Sequence, residues 1–241
     1  HRDMGPKCRY LGPEVPAEDL IWQDPIPKGN EDINVEEIKE HLSNANLTVT
    51  EMVETAWASA SIFRSSDLRG GANGSRIRLE PQCNWEINKP NKLKDILPIY
   101  EKIAEQTGAS IADVIVLAGN FAIEKASKTP VPFMPGRGDA SSEQTDVESF
   151  SVLEPYADGF RNFKKSYIEL RTEEMLIDKC QLLGLTAPEM TVLLAGLRTL
   201  GVGEIGLGVF DENDTQLNTA FFEKILDVDI EWKNINDDIY E

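Results

Sequence analysis

Residues 48–63 read TVTEMVETAWASASIF, and this stretch decides the fold class of the chain. Thr48 and Glu51 form a capping box, because the hydroxyl and the carboxylate each satisfy one of the first free amide groups of a helix. The apolar residues that follow recur every three or four positions and therefore share one face, at Met52, Ala56, Ala60 and Phe63. The pattern predicts a helix from residue 49 to about residue 63.

Similar start and stop signals predict helices on both sides of this stretch. Thr186 and Glu189 form a second capping box, and Gly184 and Gly201 are typical residues at which a helix stops. The further predicted helices cover 33–43, 110–121, 172–183, 186–200 and about 216–227. The only strand signal is Ile230–Trp232, which we expect to enter a hairpin near Asn236 and Asp237. The predicted fold class is therefore mainly α, with little strand.

Prolines and glycines divide the chain. Residues 1–30, the lead-in, contain five prolines, which predicts an irregular connection arriving from something upstream. Residues 31–241 are predicted to be one helical domain. Within it, residues 128–165 are rich in proline and glycine, which predicts a long loop with short helical turns.

Charge and cysteine content narrow the possible functions. The formal net charge of −18 repels nucleic acid phosphates and anionic membrane surfaces, so we expect no nucleic-acid or membrane partner. The three cysteines, Cys8, Cys83 and Cys180, form no C-x-x-C pair, which argues against a zinc site and a disulfide framework. Reduced thiols favour a reducing compartment, and a cytoplasmic location is expected.

Two short motifs are better explained as chance matches. Residues 201–206 read GVGEIG and match the dinucleotide-binding fingerprint, but that fingerprint requires a strand before it and a helix after it. Here a predicted helix precedes the motif, so a loop is the preferred interpretation. Residues 137–139 spell Arg-Gly-Asp, which is too short to indicate adhesion.

Residues 56–64, AWASASIFR, and residues 69–74, RGGANG, resemble the distal helix of class I haem peroxidases. In that family the helix presents arginine, tryptophan and histidine at positions i, i+3 and i+4, all on one face over the haem. The histidine takes a proton from peroxide, and the arginine stabilises the charge that develops as the O–O bond breaks. The matching residues here are Glu54, Trp57 and Ala58. The resemblance therefore implies that the base and the cation are lost.

A second, independent stretch resembles the family's proximal helix. Residues 185–190, LTAPEM, and 194–201, LAGLRTLG, match the helix whose A-G-G-H-T-F-G pattern supplies the axial histidine to haem iron. The matching residue is Arg198, which stays protonated and offers no lone pair to a metal. We expect its guanidinium to fill the would-be haem site by pairing with an acidic or carbonyl partner, rather than to lie exposed at a helix end.

Other segments narrow the resemblance to catalase-peroxidases, which consist of two tandem peroxidase-like halves. The stretches HRDMGP at 1–6 and EDLIWQDP at 18–25 resemble the connection between the halves, and PFMPGR at 132–137 resembles part of the second half. The resemblance implies a haem-free, haem-peroxidase-like C-terminal domain without catalytic, cofactor-binding or metal-ligating residues. Haem b and the peroxide chemistry would belong to the N-terminal half. That half is then the expected partner, within a homo-oligomeric parent.

The resemblance also bears on where the domain ends. The family's second half continues past the hairpin, so we expect either that the chain is incomplete at its C-terminal end or that the domain is truncated there.

Two alternatives to a haem-free, non-catalytic domain stay open. One alternative is a haem-binding domain with a non-standard axial ligand, such as His41, Met190 or a cysteine. The other is an interaction module that binds partners through residues 1–30 and 128–165.

Overall fold

The computed structural model of the chain describes residues 6–7, 10–203, 208, 210, 216–236 and 239–240. The chain divides into two compact units. Unit 1 comprises residues 1–155 and 182–184, and unit 2 comprises residues 156–181 and 185–241. The domain boundary that the sequence suggests at residue 30 stays a prediction.

The described part of unit 1 is built mainly from helices, as predicted. Its α-helices are α1 (Val35–Ser43), α2 (Val49–Ala60), α3 (Pro90–Thr107), α4 (Ile111–Ser127) and α5 (Val147–Ser151). Short 3-10 helices lie at Ile21–Gln23, Arg76–Arg78, Gln82–Asn84, Glu86–Asn88 and Ser142–Gln144. The capping box of Thr48 and Glu51 is present at the start of α2. Of the predicted loop at 128–165, residues 128–155 contain the 3-10 helix Ser142–Gln144 and the five-residue helix α5, in agreement with the expected short helical turns. The sequence analysis did not predict that Ala157–Asp158 and Phe163–Lys164 pair as two short strands.

Helix α3 was not predicted from the sequence. Pro98 lies inside it and removes one backbone hydrogen-bond donor, a signal that normally marks the end of a helix. Pro90 lies in the first turn of α3. A backbone amide at that position has no hydrogen-bond acceptor within the helix, so a proline there loses no helical hydrogen bond. Burial of its apolar face, at Leu93, Ile96, Leu97, Tyr100 and Ile103, outweighs the lost hydrogen bond. Of the helices in the described residues, none is by itself long and apolar enough to cross a membrane.

The core of unit 1 is organised around the contact between α2 and α4, the most extensive helix pair in the structure. Helix α4 is apolar over most of its surface and largely buried. Gly119 in α4 lies against Ala56 in α2, and a Cβ atom placed on Gly119 would come within 2.5 Å of the Ala56 Cβ. The close approach of the two helices therefore depends on the missing side chain.

We expect Gly119→Ala to lower the free energy of unfolding by about 1–3 kcal/mol, because the new methyl group must push two packed helices apart. Urea denaturation measures this change. The matched control is Gly196→Ala, which adds the same methyl group to a helix of unit 2 where its nearest neighbour is Leu217 Cδ2 at 3.8 Å. The control should be neutral or slightly stabilising, since alanine has the higher helix propensity. A Gly119→Ala variant as stable as the wild type would refute this packing argument.

The lead-in packs against the body of unit 1. The fully buried side chains of Asp24 and Arg69 form an ion pair, with Arg69 Nε 2.8 Å from Asp24 Oδ2. Arg76 Nη2 donates to the carbonyl oxygen of Pro25 at 2.8 Å. A Cβ atom on Gly138 would overlap the carbonyl oxygen of Pro27. The residues from Asp24 to Pro27 are therefore an integral layer of this unit.

Unit 2 is also mainly helical in its described residues. Its helices are α6 (Thr172–Leu183), whose last two residues belong to unit 1, α7 (Ala187–Thr199) and α8 (Ala220–Leu226). Strand β1 (Ala157–Asp158) pairs with β2 (Phe163–Lys164), and β3 (Asn234–Asn236) pairs with β4 (Ile239–Tyr240), both antiparallel. The predicted capping box of Thr186 and Glu189 opens α7, and Gly184 and Gly201 follow α6 and α7 with positive φ angles of 71° and 72°.

The hairpin lies later in the chain than predicted. Ile230–Trp232 is not a strand, and the first strand of the hairpin is β3, with a return strand at β4. The sequence signal came from alternating apolar residues, but the backbone pairing begins only after Lys233. Asp237, which was expected at the turn, lies outside the described residues.

Candidate functional site

Helix α2 presents the three residues that match the distal positions of a peroxidase. Glu54 accepts a hydrogen bond from Lys89 Nζ, and its Oε2 lies 3.5 Å from Lys92 Nζ. The Glu54 side chain is only 12% exposed. Both lysines stand at the start of α3, which has no side-chain cap of its own. The carboxylate therefore anchors the N-terminus of α3, where the helix dipole favours a negative charge.

The other two distal positions offer no acid or base. Ala58 is buried, and its carbonyl oxygen accepts a hydrogen bond from the buried Gln82 Nε2 at 3.2 Å. Trp57 is partly buried on the same helix. A methyl group cannot take a proton from peroxide, and the carboxylate of Glu54 is already held by two cations. The face of α2 that corresponds to the catalytic face of a peroxidase therefore holds helices together in this chain.

Arg198 lies in the last turn of α7 and is buried. Its Nη1 donates to the carbonyl oxygens of Phe160 at 2.6 Å and Val202 at 3.2 Å, and its Nη2 donates to that of Gly159 at 3.1 Å. The expectation of carbonyl partners is therefore correct, and the exposed alternative is wrong.

Two glycines make room for the Arg198 side chain. A Cβ atom on Gly203 would lie 2.9 Å from Arg198 Nη1, and one on Gly208 would lie 2.9 Å from Arg198 Cβ. Gly203 belongs to the fingerprint-like motif at 201–206, of which Gly206 lies outside the described residues. Because helix α7 rather than a strand precedes this motif, its first two glycines are explained by helix termination and by the space that Arg198 needs.

A second group of buried charges lies close to Arg198 in unit 2. We call Asp158, Arg161 and Lys179 the charge cluster. Arg161 Nε is 2.7 Å from Asp158 Oδ2, and all three side chains are almost completely buried. Although burial opposes it, the charges of Arg161 and Lys179 hold the pKa of the Asp158 carboxyl below its usual value. The sequence analysis did not identify this cluster, because acidic and basic residues are too numerous for one set to stand out.

The residues at the matching positions do not fit haem. Arg198 would have to act as the axial ligand, but a guanidinium has no lone pair and here donates to three carbonyl oxygens. The described residues contain no group of three histidine, cysteine, aspartate or glutamate side chains placed to hold a metal ion.

The alternative ligands lie in varied settings. His41 is in the last turn of α1, and Met190 in the first turn of α7, both partly buried. Cys180 is buried, with its Sγ 3.1 Å from the carbonyl oxygen of Leu185, and Cys83 is partly buried. Cys8 lies outside the described residues.

The Arg-Gly-Asp tripeptide has a structural role. Arg137 Nη1 is 2.8 Å from the carboxylate of the buried Asp113 in α4. The carboxylate of Asp139 accepts hydrogen bonds from the backbone amides of Ile111 and Ala112 and so caps the start of α4. Both charged groups are thus engaged within unit 1, which explains the motif without a partner.

Comparison with known proteins agrees with the resemblance carried by α2 and α7. The sequence model of the peroxidase family matches residues 1–229. The chain belongs to the peroxidase family. Catalase-peroxidases from Geobacillus thermodenitrificans, Marinobacter nauticus and Vibrio cholerae are 57%, 54% and 56% identical to it along its whole length. The chain spans 34% of the length of each of these relatives, so it corresponds to one part of a longer polypeptide.

Proposed function

We propose that this chain is a non-catalytic C-terminal domain of a catalase-peroxidase and structurally supports the haem-bearing N-terminal half of the same polypeptide. That half would hold haem b, decompose hydrogen peroxide and oxidise peroxidase donors. The observation that carries the proposal is Arg198, because the side chain at the position of the family's axial ligand is a cation bound to three carbonyl oxygens. The identity to catalase-peroxidases over a third of their length supports the assignment to a domain of the parent.

The chemistry of the distal positions supports the same conclusion. Peroxide cleavage needs a base to move a proton and a cation to stabilise the leaving oxygen. Ala58 and Glu54 stand where these groups would be, and Glu54 reverses the required charge. The base, the cation and the axial ligand are all replaced, while the helices that would carry them are retained. A scaffold that has kept its packing and lost its chemistry accounts for this combination. A homo-oligomeric parent and a cytoplasmic location belong to the same proposal.

The absence of haem from this domain is tested by titrating the purified chain with haemin. We expect only the weak, non-saturating absorbance of loosely bound haemin and no peroxide turnover. A sharp Soret band at one haem per chain would overturn the proposal in favour of a non-standard axial ligand. Loss of that band in His41→Ala or Met190→Leu would then identify the ligand.

The supporting role is tested in the complete polypeptide. Deleting residues 31–241 should disturb the haem spectrum and lower catalase activity, although no ligand is removed. Gly119→Ala offers a milder version, which should lower the temperature at which the Soret band changes by about 2–10 °C, as its loss of stability implies. Gly196→Ala should leave that temperature unchanged. The supporting role fails if the deletion leaves activity and spectrum intact, or if Gly119→Ala shifts unfolding of the domain alone.

A further inference from the structure

One segment of unit 2 buries none of its residues, although half of them are apolar. We call residues 216–235 the apolar segment. Leu226 is 74% exposed and Val228 is 94% exposed, and helix α8 within the segment contains no buried residue. The other large apolar residues exposed here are Ile225, Trp232 and Ile235. An apolar surface of this kind marks a site of interaction, because its contact with water is unfavourable.

Ring contacts give the apolar segment a defined surface. The centroid of the Phe221 ring lies 5.5 Å from that of Phe210 and 5.6 Å from that of Phe222. The Trp232 ring lies 6.1 Å from the Phe210 ring, so residues from the first and last parts of the segment meet at Phe210. Helix α8 also packs against α7. The segment is therefore already arranged for binding, which lowers the entropy that a partner must remove.

The charge of the apolar segment indicates the chemistry of its partner. The segment carries four acidic residues and two lysines, all of them exposed. The whole chain has a formal net charge of −18. A second copy of the chain would therefore bring like charge against these acidic residues, and like charges at an interface are unfavourable. A surface that combines apolar side chains with lysine or arginine matches the segment in both respects.

The remainder of the parent polypeptide is a partner that is always present. The chain spans 34% of the length of its catalase-peroxidase relatives, so most of the parent lies outside it. Covalent linkage gives another part of the same polypeptide an effective concentration of about a millimolar, so that even a weak contact is largely formed. An apolar surface left open on the complete protein would instead promote aggregation.

We propose that the apolar segment is a docking surface for a part of the parent polypeptide outside this chain. That part would present aliphatic or aromatic side chains flanked by lysine or arginine. Leu226 and Val228 would lie beneath it, and Glu231 would face its cations. The proposal deepens the supporting role and rests on it, because it names a surface through which the domain is held in the parent.

The test measures how fast a maleimide reacts with Val228→Cys in the complete polypeptide. Mass spectrometry of the peptide that contains residue 228 gives the rate, which is divided by the rate for the same variant unfolded in urea. We expect the folded protein to react at least about tenfold more slowly, because the docked part must open first. The control is Val192→Cys on α7, where Val192 is 64% exposed. It should react nearly as fast folded as unfolded.

The charge of the partner is tested by adding Glu231→Lys to Val228→Cys. Reversing one charge at the edge of the contact should make the normalised reaction about fivefold faster, which corresponds to about 1 kcal/mol. The matched control is Glu169→Lys, which reverses an exposed acidic residue elsewhere in unit 2 and should leave the rate unchanged. An equal or slower reaction with Glu231→Lys would refute a partner rich in lysine or arginine.

Three further outcomes decide the proposal. It is refuted if Val228→Cys reacts as fast in the folded protein as in urea, or if its protection is lost on dilution, which would identify a second copy as the partner. Leu226→Cys provides a second reporter if Val228→Cys does not fold. The haem spectrum after deletion of residues 31–241 reports the supporting role separately. Fast labelling together with a disturbed haem spectrum would refute this surface alone, and slow labelling with an intact spectrum would refute the supporting role alone.

Discussion

Arg69→Met is expected to lower the free energy of unfolding by about 3–5 kcal/mol, because it leaves the carboxylate of Asp24 buried without its cation. Asp24 and Arg69 are each only 2% exposed. Arg69 Nη2 also donates to the backbone and side-chain oxygens of Ser149, both at 3.2 Å, and so ties the lead-in to α5. Methionine retains most of the apolar volume, so the loss reports the charge and the hydrogen bonds.

The matched control for this variant is Arg64→Met. Arg64 forms an ion pair with Asp67 in the same unit, but its side chain is 25% exposed and water can solvate both partners. We expect a loss of up to about 1 kcal/mol for this pair. Urea denaturation of both variants measures the difference. Equal losses for Arg64→Met and Arg69→Met would contradict the claim that burial makes the Asp24 pair critical.

Arg69→Met also has a local consequence, which distinguishes the lead-in from the rest of unit 1. Without Arg69, the segment around Asp24 keeps the contacts of Pro25 with Arg76 and of Pro27 with Gly138, but loses its only buried ion pair among the described residues. We expect hydrogen exchange in residues 20–29 to accelerate more than in α2 or α4. Uniform acceleration throughout unit 1 would mean that Arg69 acts on global stability alone.

Local signals in the sequence predicted α2 and α7, which each begin with a capping box. The capping boxes at Thr48 and Thr186 depend on residues three positions apart, so sequence alone identifies them. Helix α3 lacks such a cap and contains Pro98, and it forms because its apolar face is buried by other helices. The position of the hairpin was also missed, since pairing between β3 and β4 depends on partners across the turn.

The candidate site was predictable only in part for a similar reason. The motif match placed Glu54, Ala58 and Arg198 at peroxidase positions, because the spacing within each helix is local. The partners of these side chains are distant in sequence: Lys89 for Glu54, and Gly159 and Phe160 for Arg198. The charge cluster joins Asp158 to Lys179 across a turn and a helix. Such contacts form only in the folded chain, and the spacing of residues in the sequence does not predict them.

Arg198→Ala is expected to cost about 3–5 kcal/mol of unfolding free energy, because the carbonyl oxygens of Gly159, Phe160 and Val202 lose their charged donor inside the protein. The control is Arg171→Ala. That arginine is 68% exposed and pairs with Glu173 and Glu174, so its removal should cost no more than about 1 kcal/mol. Thermal unfolding of both variants gives the comparison.

Chemical rescue distinguishes the carbonyl contacts of Arg198 from a general loss of packing. The alanine variant leaves a space lined by three carbonyl oxygens, and methylguanidinium at millimolar concentration offers the same planar donors. A ligand that binds only the folded state raises the unfolding temperature in proportion to the logarithm of its concentration above its Kd. We expect methylguanidinium to stabilise Arg198→Ala but neither the wild type nor Arg171→Ala, and methylammonium to be less effective because it lacks the planar fork. Equal effects of the two cations, or equal rescue of the two variants, would show that the three carbonyl oxygens do not recognise the guanidinium. The presence of Arg198 at the position of the axial histidine of active peroxidases would then need an explanation other than recognition by these three carbonyl oxygens.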